Sequence, residues 1–159
     1  MGQGGTGYGV KPIKLSATAS SKLAVTFSVV SGPGRVSGST LAITGAGTVV
    51  VAAEQAGNAS YAAAAKVTRS MTVQKAALTV TAKDLSMQQG AAAPALTYAI
   101  TGYVNGDTQA KAVTGAPNLT TTATSKSAPG SYPIKVTAGS LAAANYIFAY
   151  VDGSLTVTK

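Results

Sequence analysis

Apolar and polar positions alternate along most of this 159-residue chain. Leu23, Val25, Phe27 and Val29 interleave with Ala24, Thr26 and Ser28, a period of two that predicts a half-buried strand. Gly32-Pro33-Gly34 predicts the turn that ends it. Short strands are then expected at 35–37, 39–44, 48–53 and 66–73, broken by Gly38 and Gly45-Ala46-Gly47. Turn signals about every 8 to 12 residues are the spacing of a β-sandwich. Residues 55–65 lose the alternation; 56–63 are expected to form one helical turn, with Tyr61 plugging the core.

Near residue 75 the pattern changes parity. Val67, Arg69, Met71 and Val73 share one face, whereas Leu78, Val80 and Ala82 carry the next apolar run. One regular strand with a single buried face cannot accommodate that switch, so a domain boundary is expected there, crossed by a stiff link of about three residues. The grammar then repeats: strands at 78–84, 96–101, 118–124, 132–138, 146–151 and 154–158, a turn over 90–94, and a short helical turn at 109–112 capped by Asp107-Thr108. Asp152-Gly153 reads as a tight hairpin turn. Ser70-Met71-Thr72-Val73-Gln74-Lys75 and Ser154-Leu155-Thr156-Val157-Thr158-Lys159 end the two halves alike, the sign of modules from a longer array. The organisation expected is a flexible Gly-rich lead at 1–9, one β domain at 10–75 and another at 76–159. The fold class is all-β: two small tandem domains, with at most short helical turns.

Composition narrows the function classes. Without Cys or His, disulfides, thiolate sites and most nucleophilic or general-base schemes are excluded. The acids are Glu54, Asp84, Asp107 and Asp152, none in aromatic sugar-binding surroundings, and there is no Trp. No catalytic, cofactor-binding or metal residues are therefore assigned and no cofactor is expected. Asn105, Asp107 and Asp152 are oxygen donors better explained as turn formers than as a calcium site, and Lys83 with Asn145 and Asp152 is the one set considered for an internal isopeptide bond. Gly2, Gly4 and Gly7 spell a dinucleotide fingerprint, but that chemistry needs a strand before it and a helix after it. No apolar run approaches the length of a membrane span, and any export signal would lie upstream.

Net charge is +8, and most of it is in residues 1–75, where five Lys and two Arg face a single acid. Lys11, Lys14, Lys22, Arg35, Lys66 and Arg69 are the candidate surface for an anionic ligand, although scattered lysines are more often a solvated face. No nucleic-acid motif accompanies them.

Tyr8-Gly-Val-Lys-Pro, Val25-Thr-Phe-Ser-Val-Val-Ser-Gly-Pro and Ala56-Gly-Asn-Ala-Ser-Tyr61 resemble a bacterial immunoglobulin-like repeat. Ala77-Leu-Thr-Val-Thr-Ala, Pro94-Ala-Leu-Thr-Tyr, Thr101-Gly-Tyr-Val-Asn-Gly-Asp-Thr, Gly130-Ser-Tyr-Pro-Ile, Ala144-Asn-Tyr-Ile-Phe and Gly153-Ser-Leu-Thr-Val-Thr-Lys resemble the MBG-type repeat that often follows it. Met87-Gln88-Gln89-Gly90 departs from that repeat, which shows a Tyr-Gly pair there, and the lysines exceed its near-neutral norm. The resemblance implies a non-enzymatic spacer or stalk of a large bacterial secreted or cell-surface adhesin-like protein. Its partners would be the neighbouring repeats of the same parent chain. Two alternatives stand beside it: a module binding acidic glycans or an anionic surface through the basic first domain, and a β module that self-assembles through strand edges.

Overall fold

The structure is a computed structural model that describes residues 6–159. The chain divides into two compact units, one ending at Ala76 and the other running Ala77–Lys159. Both are built from strands.

The first unit contains β1 (Thr6–Gly7), β2 (Ile13–Lys14), β3 (Thr26–Ser31), β4 (Gly34–Ser37), β5 (Thr40–Ile43), β6 (Gly47–Glu54) and β7 (Val67–Gln74). They form a four-stranded sheet, β1-β7-β6-β3, and a three-stranded sheet, β2-β5-β4. Register explains the alternation. Val49 lies opposite Met71, and Ala53 lies opposite both Val67 and Phe27, so the apolar positions share one face. In the smaller sheet Ile13 and Val36 flank Leu41. Leu41 and Val49 are completely buried. The two faces meet closely at Gly34, where an added Cβ would lie 3.0 Å from both Leu41 Cδ1 and Val49 Cγ1.

Two expectations change here. The lead at 1–9 is expected to be flexible, and residues 1–5 of it lie outside the described residues. Thr6 and Gly7, however, pair in parallel with Val73 and Gln74, the Tyr8 amide donates to the Gln74 carbonyl at 2.8 Å, and the Tyr8 ring is buried. The end of β7 offers unpaired backbone groups, and the lead satisfies them. The helical turn expected at 56–63 is a loop instead. Asn58 Oδ1 accepts from the amides of Ser60 and Tyr61 at 2.8 and 2.9 Å, a local turn that competes with helix. Tyr61 is 53% exposed beside this turn rather than plugging the core, and the buried side chain of the region is Gln55.

The second unit contains β8 (Ala76–Ala82), β9 (Leu85–Gln88), β10 (Tyr98–Thr101), α1 (Gln109–Ala112), β11 (Asn118–Thr121), β12 (Gly130–Thr137), β13 (Tyr146–Val151) and β14 (Gly153–Thr158). Its sheets are β10-β8-β13 and β11-β12-β14-β9. Leu78 and Val80 of the first sheet and Ile134 and Leu155 of the second are fully buried, so each sheet turns one apolar face inward. Here the hairpin expected at Asp152-Gly153 is overturned. β13 and β14 belong to different sheets, and the chain crosses between them at Asp152. Gly153 permits the crossing: a Cβ there would lie 2.5 Å from the Ala82 carbonyl oxygen. β8 passes into β9 in the same way, so the strand expected at 78–84 is β8 through Ala82, followed by the crossing at Lys83-Asp84. Helix α1 forms where expected, although Thr108 at its N-cap makes no side-chain capping bond.

Candidate functional site

The six candidate basic residues of the first unit are all exposed, and the fold does not gather them. Lys14 lies opposite Thr40, which lies opposite Ser37, two residues from Arg35. Lys14 and Arg35 therefore share the outer face of the smaller sheet. Lys11 precedes β2, and Lys22 sits in the segment before β3 with φ +63°. Lys66 is engaged by Glu54, 2.8 Å away. Arg69 lies opposite Val51 on the apolar face of the other sheet, with Nη1 donating to the Thr68 carbonyl at 3.2 Å. This arrangement presents a diffuse positive field, not a cradle for one anion.

Concave surface is scarce. A recess of about 250 Å³ in the first unit is lined mainly by small apolar groups, among them Ala17, Ala19, Val25, Ala53 and Val67. The Gln55 amide at its wall is already used: Oε1 accepts from the Ala64 amide at 2.8 Å and Nε2 donates to Ser21 Oγ at 3.3 Å. A hollow of about 470 Å³ beside α1 has Lys111 as its one charged lining group. Neither presents converging polar groups that would fix a ligand's orientation.

The four carboxylates hold the fold together. Glu54 pairs with Lys66. Asp84 Oδ1 accepts from the Ser154 amide at 2.8 Å, tying the β8–β9 crossing to β14. Asp152 Oδ1 accepts from the Val136 amide and Oδ2 from Lys135 Nζ, both at 3.0 Å, tying the other crossing to β12. Those bonds, the amide first and the ammonium second, hold the Asp152 carboxyl below its ordinary pKa. Asp107 Oδ2 accepts from the Tyr146 hydroxyl at 2.6 Å. These contacts engage the acids of the calcium set, and among the described residues no group of three His, Cys, Asp or Glu forms a metal cluster. Of the isopeptide set, Asp152 engages Lys135, and the Lys83 side chain is solvent-exposed.

Sequence reasoning missed the tyrosine network. Tyr146 is 2% exposed; besides reaching Asp107, its oxygen accepts from the Val104 amide at 3.1 Å. Tyr103 packs edge-on against it, with ring centroids 5.9 Å apart. The Tyr103 hydroxyl is buried with no hydrogen-bond partner among the described residues, and burial, then neighbouring Tyr98, raises its pKa above the ordinary value. The sequence signal was present in Tyr103-Val104-Asn105-Gly106-Asp107, but a turn reading absorbed the acid.

A second missed feature is the placement of each unit's last strand beside a strand near its start. In the first unit β1 runs parallel to β7. In the second, β9 runs parallel to β14, pairing Leu85 with Leu155 through to Gln88 with Thr158. The opening strand of the first unit and the second strand of the second unit therefore each lie beside their unit's last strand and point the same way.

Residues 78–156 match the family model of the MBG domain (YGX type), a repeat domain of large bacterial surface proteins. No curated protein matches the chain significantly. Among the described residues, no helix is long and apolar enough to cross a membrane.

Proposed function

We propose that this chain is a non-enzymatic spacer segment of a large bacterial secreted or cell-surface adhesin-like protein, an immunoglobulin-like domain followed by an MBG-type repeat. The family match over the second unit supports the repeat role. Seven strands in a four-plus-three arrangement support the immunoglobulin-like reading of the first unit. Its partners are then the neighbouring repeats of the parent chain.

The observation that carries the reading is the parallel pairing of each unit's last strand with a strand near its start, β1 with β7 and β9 with β14. Tension that reaches β1 directly, or β9 through the preceding β8, and is drawn out at the end of β7 or β14 pulls such strands past one another, so their hydrogen bonds share the load and must fail together. Pulling apart at one end loads the bonds singly. In the second unit the β9–β14 ladder covers four residue pairs, against two for β1–β7. The first unit should therefore yield first.

Single-molecule pulling tests this directly. Because the chain has no cysteine, handles can be attached at introduced thiols. Pulled from its ends, it should show two unfolding events. Handles at Gln88→Cys and the C-terminus, which lie at the same end of the β9–β14 ladder, should peel the strands at a clearly lower force. Equal forces in the two directions would refute a load-bearing role. Weak, salt-screened attraction to acidic glycans remains a second reading, favoured only by the shared face of Lys14 and Arg35.

A further inference from the structure

Edge strands expose unpaired backbone groups, and proteins guard them with charge, proline, bulges or brevity. Most edges of this molecule are guarded. β3 carries a bulge between Val29 and Ser31. β2 contains Lys14 and follows Pro12, and β4 carries Arg35. Arg69 sits at an apolar-face position of β7, where β1 covers only the last two residues. β9, β10 and β11 are four residues each.

β13 differs. It ends the β10-β8-β13 sheet, runs six residues, Tyr-Ile-Phe-Ala-Tyr-Val, and contains no charge, proline or glycine. On its outer face Ile147 is 57% and Val151 47% exposed, with Ala149 between them. On the other face Tyr150 is 37% exposed and stacks on Phe148 at 6.5 Å.

We propose that β13 is a docking edge for a second copy of this chain, paired antiparallel about a twofold axis through Ala149. Pairing must keep like faces together, so only registers that match odd positions with odd ones are allowed. Centred on Ala149, such a register sets Ile147 of each copy against Val151 of the other, and Phe148 against Tyr150. The exposed apolar side chains cover one another, and the interface is isologous and closes at two copies. Charge favours the same choice. Antiparallel pairing places each Asp152 beside the uncharged Tyr146 of the second copy, whereas in-register parallel pairing would set Asp152 against Asp152.

The test is site-directed disulfide formation in the full chain. Directly opposed residues of an antiparallel pair have Cα atoms about 4.5–5.5 Å apart, inside the range a disulfide spans. Ala149→Cys should oxidise to a covalent dimer at least about tenfold faster than Ser28→Cys, an exposed control on β3. Adding Ile147→Lys and Val151→Lys, both at exposed positions, should return the rate to that of the control. Sedimentation of the cysteine-free chain should show mass rising with concentration towards two copies. Four results would each overturn the proposal: equal cross-linking rates, a monomer at every concentration, growth beyond two copies, or, when the Ala149→Cys and Ser28→Cys chains are oxidised together, mixed dimers in preference to dimers of Ala149→Cys with itself. If the lysine variant loses its thermal transition, the comparison of the two single-cysteine chains decides alone.

Discussion

Tyr103 and Tyr146 are neighbouring tyrosines whose hydroxyls should have opposite value, and replacing each by Phe removes one oxygen while leaving both rings in place. The Tyr146 hydroxyl donates to the Asp107 carboxylate at 2.6 Å and accepts from the Val104 amide at 3.1 Å, with the residue 2% exposed. A hydrogen bond to a charged group contributes about 1.5–3 kcal/mol, and a buried amide that loses its acceptor adds about 1 kcal/mol more. Tyr146→Phe should therefore cost about 2–4 kcal/mol. For a unit of this size that is a fall on the order of 10–30 °C in its melting midpoint. The Tyr103 hydroxyl is buried without a partner among the described residues, so Tyr103→Phe should leave stability unchanged or raise it by up to about 1 kcal/mol. Calorimetry on the full chain reads both, since only the transition of the second unit should move. Combining Tyr146→Phe with Asp107→Asn should cost less than the sum of the single changes, because both delete the same bond. If the two Phe variants shifted the midpoint equally, or Tyr146→Phe cost less than about 0.5 kcal/mol, the tyrosine network would not anchor the second unit.

Three further outcomes follow from the contacts. Gln55→Ala removes the side-chain acceptor of the Ala64 amide, which keeps the Gln55 carbonyl at 3.0 Å, and the donor to Ser21, so it should cost about 0.5–1.5 kcal/mol in the first unit and speed proteolytic cleavage within 56–63. The Asp152 carboxyl is depressed, so its contribution should be complete above the ordinary carboxylate pKa and lost as the pH falls through its lower folded value. Carboxyl chemical shifts followed by NMR should locate that titration, and Asp152→Asn should remove the corresponding acid dependence of unfolding. On a sulfated-polysaccharide column the chain should elute below roughly physiological ionic strength, as unfocused lysines imply; retention well above it, lost in Lys14→Ser with Arg35→Ser, would reveal a built site.

The strands were legible where alternation was long. Residues 48–53, 66–73 and 146–151 lie in β6, β7 and β13 to within a residue or two. Legibility failed where a partner lay far away in sequence. Leu85 and Met87 alternate with Ser86 and Gln88 for only four residues, too few to announce β9, whose pairing with β14 spans 70 residues. Asp152-Gly153 has the local chemistry of a hairpin, and only the sheet assignment of its flanking strands shows a crossing. Tyr61 is misplaced by any reading that equates size with burial, whereas the Asn58 turn spends the local amides and leaves the ring outside. For the candidate site, residue types were readable and neighbours were not: nothing in the sequence pairs Lys66 with Glu54 while setting Lys14 and Arg35 on one face.

The parallel pairing of β1 with β7 and of β9 with β14 also sets when each unit can fold. The Ser154 amide bonds to Asp84 and the Thr158 hydroxyl to the Met87 carbonyl, links spanning 70 and 71 residues. A chain emerging from its N-terminus cannot complete β9 until residues near 158 have arrived, and β1 likewise waits for β7. Closing such long loops before any contact rewards them makes folding slow relative to a hairpin-built domain. Until its last strand appears each unit therefore lacks one ladder of a sheet, β1–β7 in the first and β9–β14 in the second, and its core stays open along that side.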